Sequence, residues 1–347
     1  MGMLPMIRLV DCTIRDGGYR TGWLFDEQMI LGYLNICRRL LIDWIEIGYL
    51  RIAPSGLDEG SWGDLTRKLT PLQRRHLQNS SDLPFAVMLD ASEASAFPPR
   101  DAAKKIIEQL RVLEIPVNMI RIATKANDLP FALDLVSEFA DFGIGTMINL
   151  MQASLLDCDD LAFLLAGSAG RMQPLVLYIA DSFGGMVPDK VIQLVQTLRT
   201  AVPGETGFHA HDNFGLAVAN SLAAVSAGAS YIDMTMGGIG RGAGNAATES
   251  ILPVLRPALP LDTFDELDRF LCDHLKPLRY PLPWGTSGSY RWQARRSIHP
   301  SYAQNLAECS DLTEQTHFEI LDKLAKLNSK QFNSTALSEV IAAVLAR

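Results

Sequence analysis

The sequence predicts an α/β protein, a (β/α)8 TIM barrel with a small C-terminal helical extension. Two observations predict this fold. Short apolar runs alternate with amphipathic stretches of helical spacing, and the alternation repeats eight times before about residue 260. Polar and ionisable residues stand directly after the apolar runs, and in a barrel the functional groups gather at these C-terminal strand ends.

The apolar runs are rich in Val, Ile, Leu and Met, as expected of parallel strands that are buried on both faces. The predicted strands are Ile7–Asp11, Trp44–Gly48, Phe85–Leu89, Met119–Ala123, Gly145–Leu150, Leu175–Ala180, Gly207–His211 and Tyr231–Thr235.

The amphipathic stretches supply the crossovers that parallel pairing requires. The predicted helices are Asp26–Leu40, Leu65–Leu77, Arg100–Leu113, Leu129–Phe142, Leu156–Leu165, Pro188–Ala201, Phe214–Ala227 and Asn245–Leu255. An open, doubly wound sheet is the alternative, but it usually carries a glycine-rich dinucleotide loop after its first strand. The loop at Arg15–Tyr19 contains no G-x-G-x-x-G pattern, which favours the barrel.

The alternation ends near Leu259. The remaining chain contains four predicted helices, a connector with Pro and Tyr, and a loop that contains Gly285 and Gly288. The helices are Thr263–Leu275, Ser301–Glu308, Glu314–Leu327 and Ala336–Ala346, and the connector is Pro277–Pro283. We therefore predict a catalytic barrel over residues 1–260 and a helical region over residues 261–347 that packs on it.

The composition excludes several classes of protein. With a formal net charge of −8, the chain lacks the basic footprint of a nucleic-acid binder. It has neither the long apolar run of a membrane span nor the apolar stretch of a signal peptide. Its five cysteines are far apart and include no C-x-x-C pair, which is typical of free thiols. Cys12 is interpreted as a small buried strand residue, and the expected location is cytoplasmic.

A metal site is predicted from His209-Ala210-His211 at the end of the seventh strand. Residues i and i+2 of a strand project to one face, so the two imidazoles can bind one ion. Only the eighth strand separates the seventh from the first in a closed barrel, which brings Asp16 within reach. Two His nitrogens and one carboxylate oxygen suit Mn²⁺, Mg²⁺, Co²⁺ or Zn²⁺.

Two further motifs lie at the strand ends. Arg15, next to Asp16, can stabilise an enolate oxygen as negative charge develops; it can also form an ion pair with Glu46 or Asp181, and both interpretations can hold together. The glycine-rich segment 237–245 is compatible with a phosphate-binding loop or a flexible lid, but it lacks the Gly-Lys-Ser/Thr of a Walker loop.

Together these motifs resemble the DRE-TIM metallolyase superfamily (HMGL-like). The motifs are Asp11–Gly17, Glu46, His209–Asn213, the loop Gly240–Asn245 and Glu249. That superfamily includes 3-hydroxy-3-methylglutaryl-CoA lyase, isopropylmalate and homocitrate synthases, and 4-hydroxy-2-oxovalerate aldolase. The chain most resembles the aldolase branch, because it lacks the long C-terminal regulatory domain of the synthases and carries a Gly-Ala-Gly-Asn-Ala loop.

The resemblance implies roles for individual residues. Asp16, His209 and His211 are expected to bind the metal, with Asn245 as a further ligand or a neighbour of the ligands. Arg15 is expected to stabilise the enolate. Glu46 is an expected acid, base or orienting group, and Ser182 is expected near the substrate carboxylate.

One position departs from the aldolase pattern. The aldolases carry a histidine acid/base three residues after the metal aspartate, whereas this chain has Tyr19. A phenol has a reference pKa near 10 and is a weak base at neutral pH. Either Tyr19 donates a proton, or Tyr290 or a metal-bound water takes over, or the substrate differs. The aldolases also contribute a C-terminal tyrosine, to which Tyr290 or Thr286 could correspond.

The predicted function is that of a metal-dependent carbon–carbon lyase, an aldolase that uses Mn²⁺ or Mg²⁺, with Co²⁺ or Zn²⁺ as other options. It would form or break a bond through the enolate of a pyruvate-like 2-oxo acid, with an aldehyde as its partner substrate. The alternatives are a Claisen synthase or lyase that uses an acyl-CoA, and an inactive barrel that serves as a partner subunit. The resemblance further implies a homodimer and an aldehyde dehydrogenase partner.

Overall fold

Eight parallel strands close into a barrel in chain order, and the first strand pairs with both the second and the eighth. In the computed structural model, residues 6–53, 60–168, 176–280, 283–309 and 311–346 are described. The strands are β1 Arg8–Asp11, β2 Trp44–Tyr49, β3 Phe85–Asp90, β4 Val117–Thr124, β5 Gly145–Leu150, β6 Val176–Asp181, β7 Glu205–Ala210 and β8 Tyr231–Met234. This topology confirms the predicted fold class. Leu175, the predicted start of the sixth strand, and positions 281–282 of the predicted connector lie outside the described residues.

Helices connect the strands around the barrel. They are α1 Thr13–Thr21, α2 Glu27–Arg39, α3 Leu65–Lys68, α4 Pro71–Gln78, α5 Ala91–Ala94, α6 Pro99–Leu113, α7 Leu129–Ala140, α8 Cys158–Ser168, α9 Pro188–Ala201, α10 Ala217–Ser226 and α11 Thr248–Leu255. The predicted helix Leu65–Leu77 is in fact two helices, because Thr70 and Gln73 form a capping box that begins α4 with Pro71 in its first turn. None of the helices among the described residues is long and apolar enough to cross a membrane.

The predicted loop at Arg15–Tyr19 is wrong, since these residues form the middle of α1. The Asp16 amide donates to the carbonyl of Cys12, 2.8 Å away, so the helix begins directly after β1. The two glycines of this segment, Gly17 and Gly18, are needed for packing. A Cβ at Gly18 would lie 2.1 Å from the Trp23 ring, whose indole N–H donates to the Arg15 carbonyl at 2.9 Å.

The C-terminal helices form a second apolar cluster. They are α12 Leu261–Phe270, which continues as one π-helical turn over Leu271–Leu275, α13 Gly288–Arg295, α14 Pro300–Ala307, α15 Glu314–Lys326 and α16 Ser334–Leu345. The predicted loop at Gly288 is also wrong, because Gly288 begins α13 after the cap formed by Ser287. Tyr290, Tyr302 and Leu321 are buried together in this cluster. The domain boundary at residue 260 stays a prediction.

Candidate active site

Three side chains from both ends of the barrel sequence converge at the strand ends. Asp16 lies on α1, His209 on β7, and His211 directly after β7. The Asp16 Oδ2 lies 3.5 Å from His209 Nε2 and 3.8 Å from His211 Nε2, and all three side chains are buried. The structure therefore brings together the one carboxylate and two imidazoles that the sequence singled out.

Hydrogen bonds fix which nitrogen of each imidazole faces this point. His209 Nδ1 donates to Asp233 Oδ2 at 2.8 Å, and His211 Nδ1 donates to the Asp181 carbonyl at 3.0 Å. Both Nε2 atoms are thereby left as acceptors directed at Asp16. Metal-binding histidines are held in this way by a partner on their other nitrogen.

Two buried atoms at this point are without a hydrogen-bond partner among the described residues, His211 Nε2 and Asn245 Oδ1. The Asn245 side-chain amide donates to Asp16 Oδ2, so its oxygen stays close to the same carboxylate. Burial of such acceptors without a donor is costly. A divalent cation would satisfy both, so the four residues predicted as ligands, Asp16, His209, His211 and Asn245, fit one.

The glycine-rich segment covers this group of ligands closely. A Cβ at Gly240 would lie 2.2 Å from Asn245 Nδ2, and Gly244 has a φ of +90°. Only glycine permits this backbone approach and this conformation without strain. The segment therefore holds Asn245 in place, a role that the sequence alone did not indicate.

Arg15 links the ligands to a buried glutamate. Its Nη1 lies 2.9 Å from Asp16 Oδ1, and its Nε lies 2.7 Å from Glu46 Oε2. Burial by itself would raise the pKa of Asp16, but the adjacent charge of Arg15 holds this pKa well below its usual range. Asp16 is therefore ionised, and Arg15 has the ion pair with Glu46 that was one of its two predicted roles.

Two charged residues deeper in the barrel were missed by the sequence analysis. Arg121 on β4 is fully buried, and it forms ion pairs with Glu46, at 3.0 Å, and with Asp233 on β8. Asp233 in turn accepts a hydrogen bond from His209 Nδ1. The available signal was a charged residue inside each of two otherwise apolar predicted strands.

A small cavity opens over the ligands. Besides Asp16 and the two histidines it is lined by Arg15, Tyr19, Tyr49, Asn149, Ser182 and Arg241, among others. The hydroxyl groups of Tyr19 and Tyr49 are 2.8 Å apart, and the Arg241 guanidinium lies 5.4 Å from the centre of the Tyr19 ring. The Ser182 hydroxyl accepts a hydrogen bond from the backbone N–H of Gln152 at 2.8 Å, which fixes the hydroxyl at the cavity wall.

Tyr290 lies away from this cavity. It is buried in the C-terminal cluster, and its ring lies beneath the glycine-rich segment, 3.6 Å from a Cβ built on Gly242. Thr286, the other candidate, donates its hydroxyl to the Asn213 carbonyl at 2.7 Å. Neither residue is among the described residues that line the cavity.

Comparison with known proteins agrees with this geometry. The family model for HMGL-like proteins matches residues 102–265. The 4-hydroxy-2-oxovalerate aldolase of Chloroflexus aurantiacus is 32% identical over 252 residues, 72% of this chain and 68% of the relative. The chain belongs to the HMGL-like family. The oxaloacetate decarboxylase of Mycobacterium tuberculosis is also similar. It is 28% identical over 265 residues, which are 75% of this chain and 73% of the relative.

Solved structures place the HMGL-like chain among barrels of the same fold. The N-terminal domain of a proposed aldolase from Bacteroides vulgatus has a TM-score of 0.72 at 28% identity, with 88% of this chain and 97% of that one covered. The carboxyl transferase domain of Rhizobium etli pyruvate carboxylase has a TM-score of 0.69 at 16% identity, over 97% of this chain and 61% of that one, which shows a shared fold alone. The predicted resemblance to HMGL-like aldolases is thus confirmed.

Proposed function

We propose that this chain is a divalent-metal-dependent lyase that forms or breaks a carbon–carbon bond through the enolate of a 2-oxo acid, with an aldehyde as its partner substrate. The observation that carries the proposal is the convergence of Asp16, His209 and His211. The Nε2 atoms of both histidines lie within 3.8 Å of Asp16 Oδ2. Relatives named as aldolase and decarboxylase support this reaction class.

The chain's own residues fit the charge changes of this reaction. In condensation, a proton passes from C3 of the 2-oxo acid to solvent, the enolate carbon bonds to the aldehyde carbon, and the aldehyde oxygen takes up a proton. A divalent cation held by Asp16, His209, His211 and Asn245 would supply Lewis-acid polarisation of the keto oxygen. Arg15, held by Glu46 and Asp16, presents a fixed positive charge beside the same position, and such preorganised charge stabilises an enolate oxygen. Ser182 offers a hydroxyl at the cavity wall for the carboxylate.

Tyr19 is the proposed proton donor to the aldehyde oxygen. Burial raises the pKa of Tyr49 well above its usual value, so Tyr49 keeps its proton. Tyr49 can then donate to the Tyr19 oxygen, 2.8 Å away, which leaves the Tyr19 proton free to point into the cavity. Tyr290, the other predicted acid/base residue, is proposed to support the glycine-rich segment, because it lies beneath Gly242.

Mn²⁺ or Mg²⁺ is the proposed metal. A carboxylate, an amide oxygen and two imidazoles form a mixed oxygen and nitrogen set without a thiolate, and such sets suit Mn²⁺ well. Co²⁺ and Zn²⁺ accept similar ligands and are therefore included in the test.

The test is exchange of the methyl protons of pyruvate in D₂O, followed by NMR. We expect exchange with the metal-loaded protein, loss after chelation, and recovery with Mn²⁺ or Mg²⁺. His209→Ala should abolish it, whereas His76→Ala, which removes a histidine paired with Glu27 at the surface, should not. Absence of exchange with every 2-oxo acid tested would overturn the proposal.

Two further measurements on the purified protein test the alternative functions, a Claisen enzyme and an inactive barrel. Thiol release from acetyl-CoA with a 2-oxo acid acceptor would indicate the Claisen reaction. Failure to bind any of the four metals would favour the inactive scaffold.

We also propose, from the family resemblance, a homodimer, an aldehyde dehydrogenase partner and a cytoplasmic location. The five free cysteines suit a reducing compartment. Light scattering of the purified protein tests the dimer, and co-purification tests the partner.

A further inference from the structure

A second, larger cavity lies between the barrel and the C-terminal helices. Its volume is about 600 Å³, within the range of sites for small molecules. One wall comes from the segments that follow β4 and β5, including Lys125 and Gln152. The other comes from the segment between α15 and α16, including Lys330 and Phe332. The Gln152 side chain donates to the Lys330 carbonyl at 3.0 Å, which ties the two walls together.

The charge of this cavity is opposite to that of the protein. Lys125 and Lys330 line it, and none of the described residues that line it is acidic, although the chain as a whole has a net charge of −8. Lys125 is half-buried and Lys330 is exposed. Within the described ranges, neither ammonium group forms an ion pair with a carboxylate. Two cations without a carboxylate partner, in a concave site of an acidic protein, favour an anionic ligand.

The second cavity adjoins the candidate active site. Met151, directly after β5, lines both cavities. His299, which precedes α14, is close to cations of both. The pKa of His299 is lowered to about 3, mainly by burial. The charges of Arg241, which lines the candidate active site, and of Lys125, which lines the second cavity, lower this pKa further. The two cavities are therefore neighbours that share a wall at Met151.

We propose that the second cavity binds the far end of the aldehyde substrate, and that this end carries an anionic oxygen group, a phosphate or a carboxylate, which Lys125 and Lys330 recognise. The inference rests on the proposed function, because it assigns a class of aldehyde to the same reaction. Amide side chains in the cavity, such as Asn127, Asn328 and Asn333, offer donors and acceptors to hydroxyl groups along the substrate chain.

The experiment compares charged and neutral aldehydes with pyruvate as the common substrate. Glycolaldehyde phosphate tests the phosphate, succinic semialdehyde tests the carboxylate, and butyraldehyde is the neutral reference. We expect kcat/KM for one anionic aldehyde to exceed that for butyraldehyde by at least about tenfold, since charge-assisted hydrogen bonds are stronger than those between neutral groups. Whichever anion is preferred identifies the group.

Variants then locate the preference. Lys125→Met and Lys330→Met should each lower the ratio of anionic to neutral kcat/KM several-fold, mainly through KM. The matched control is Lys104→Met, which removes an exposed lysine from α6 and should keep the ratio. Melting temperatures of all three variants show whether each is folded, and the ratio is measured within a single protein, so it is insensitive to partial loss of folded material.

The outcomes separate the two proposals. Exchange of pyruvate protons together with equal use of charged and neutral aldehydes would overturn the anion site and leave the proposed function standing. The anion site would also be overturned if Lys125→Met and Lys330→Met left the ratio of anionic to neutral kcat/KM unchanged. Absence of exchange would overturn the proposed function and the anion site with it. Thiol release from acetyl-CoA, whose phosphates could also contact these lysines, would overturn the aldehyde assignment.

Discussion

Two groups of charged residues inside the barrel differ in how their charges are satisfied. The inner group, Glu46, Arg121 and Asp233, is almost completely buried, and its two carboxylates share the Arg121 guanidinium. The cavity group, Asp16 and the two histidines, is also buried, yet its closest oxygen–nitrogen distances are 3.5 and 3.8 Å, and His211 Nε2 has no hydrogen-bond partner within the described chain.

The difference separates a positioning role from a binding role. The inner group pairs its charges within the chain, because Arg121 lies between the two carboxylates, although Glu46 Oε1 and Asp233 Oδ1 accept no hydrogen bond from the described residues. It also holds the cavity group, because Asp233 accepts from His209 and Glu46 accepts from Arg15. In the cavity group, the lone pair of His211 Nε2 faces Asp16 and receives no hydrogen bond from any described residue. Loss of an inner residue should therefore act first on stability, and loss of a cavity residue on metal binding and catalysis.

The largest expected effect is from Asp16→Asn. The change keeps the size of the side chain but removes the negative charge that faces His209 and His211. We expect the rate of pyruvate exchange to fall on the order of 10³-fold, which corresponds to about 4 kcal/mol. Bound metal, measured by elemental analysis, should fall with it. Asp82→Asn at an exposed ion pair is the control, and a variant at Asp16 that keeps its metal would contradict the assignment.

The next effect is on stability. Arg121→Met leaves Glu46 and Asp233 as buried carboxylates without their shared cation. Removal of one partner of a buried pair costs about 3 to 5 kcal/mol, which denaturant unfolding measures. Arg38→Met breaks an exposed pair with Asp82 and should cost less than about 1 kcal/mol. Equal losses in the two variants would show that the inner group is not the stabilising one.

Tyr19→Phe tests the catalytic proton at the cavity. The variant removes the hydroxyl that lies 2.8 Å from Tyr49 and keeps the ring beneath Arg241. Loss of a general acid typically costs 10²-fold or more, so we expect kcat for aldehyde addition to fall about 10²-fold with metal content unchanged. Tyr49→Phe should have a smaller effect, because Tyr49 acts through Tyr19. The reverse order of the two effects would assign the proton to Tyr49.

The sequence predicted the barrel because its evidence is periodic. Eight repeats of strand and helix leave few topologies, and the strand bounds agree with the structure to within about two residues at each end. The metal ligands were also within reach, since the H-x-H spacing and the position of Asp16 shortly after the first strand both follow from strand geometry. Errors occurred where tertiary contacts decide the local structure, as at α1, where Gly18 packs against Trp23 and Gly17 against Ile239.

The inner group could not be predicted in the same way. A charged residue in an apolar strand can face the barrel interior or the helices, and only the closed barrel shows that Arg121 lies between Glu46 and Asp233. The second cavity depends on the same kind of information. Lys125 and Lys330 are 205 positions apart in the sequence, and only the packing of the C-terminal helices brings them to one cavity.

The smallest expected effect concerns Asp11, a third kind of buried carboxyl. It accepts from the Tyr33 hydroxyl at 2.7 Å and the Thr13 amide at 2.9 Å, and burial raises its pKa to about 6, whereas the charge of Arg121 lowers that of Asp233. Because the folded pKa exceeds the unfolded value near 4, the carboxyl's contribution to stability is full below about pH 4 and is lost as the pH rises through 6.

Asp11→Asn should remove this dependence, since the amide oxygen can still accept from Tyr33 while the side chain no longer titrates. The free energy of unfolding of the unmodified chain, relative to that of Asp11→Asn, should decrease by about 2 kcal/mol between pH 4.5 and pH 7.5. Guanidinium titrations of both proteins across this range measure the difference. A difference that is constant with pH, or one that grows toward neutral pH, would mean that Asp11 is neutralised by a cation after all, as Asp233 is by Arg121, and that burial alone does not distinguish these carboxyls.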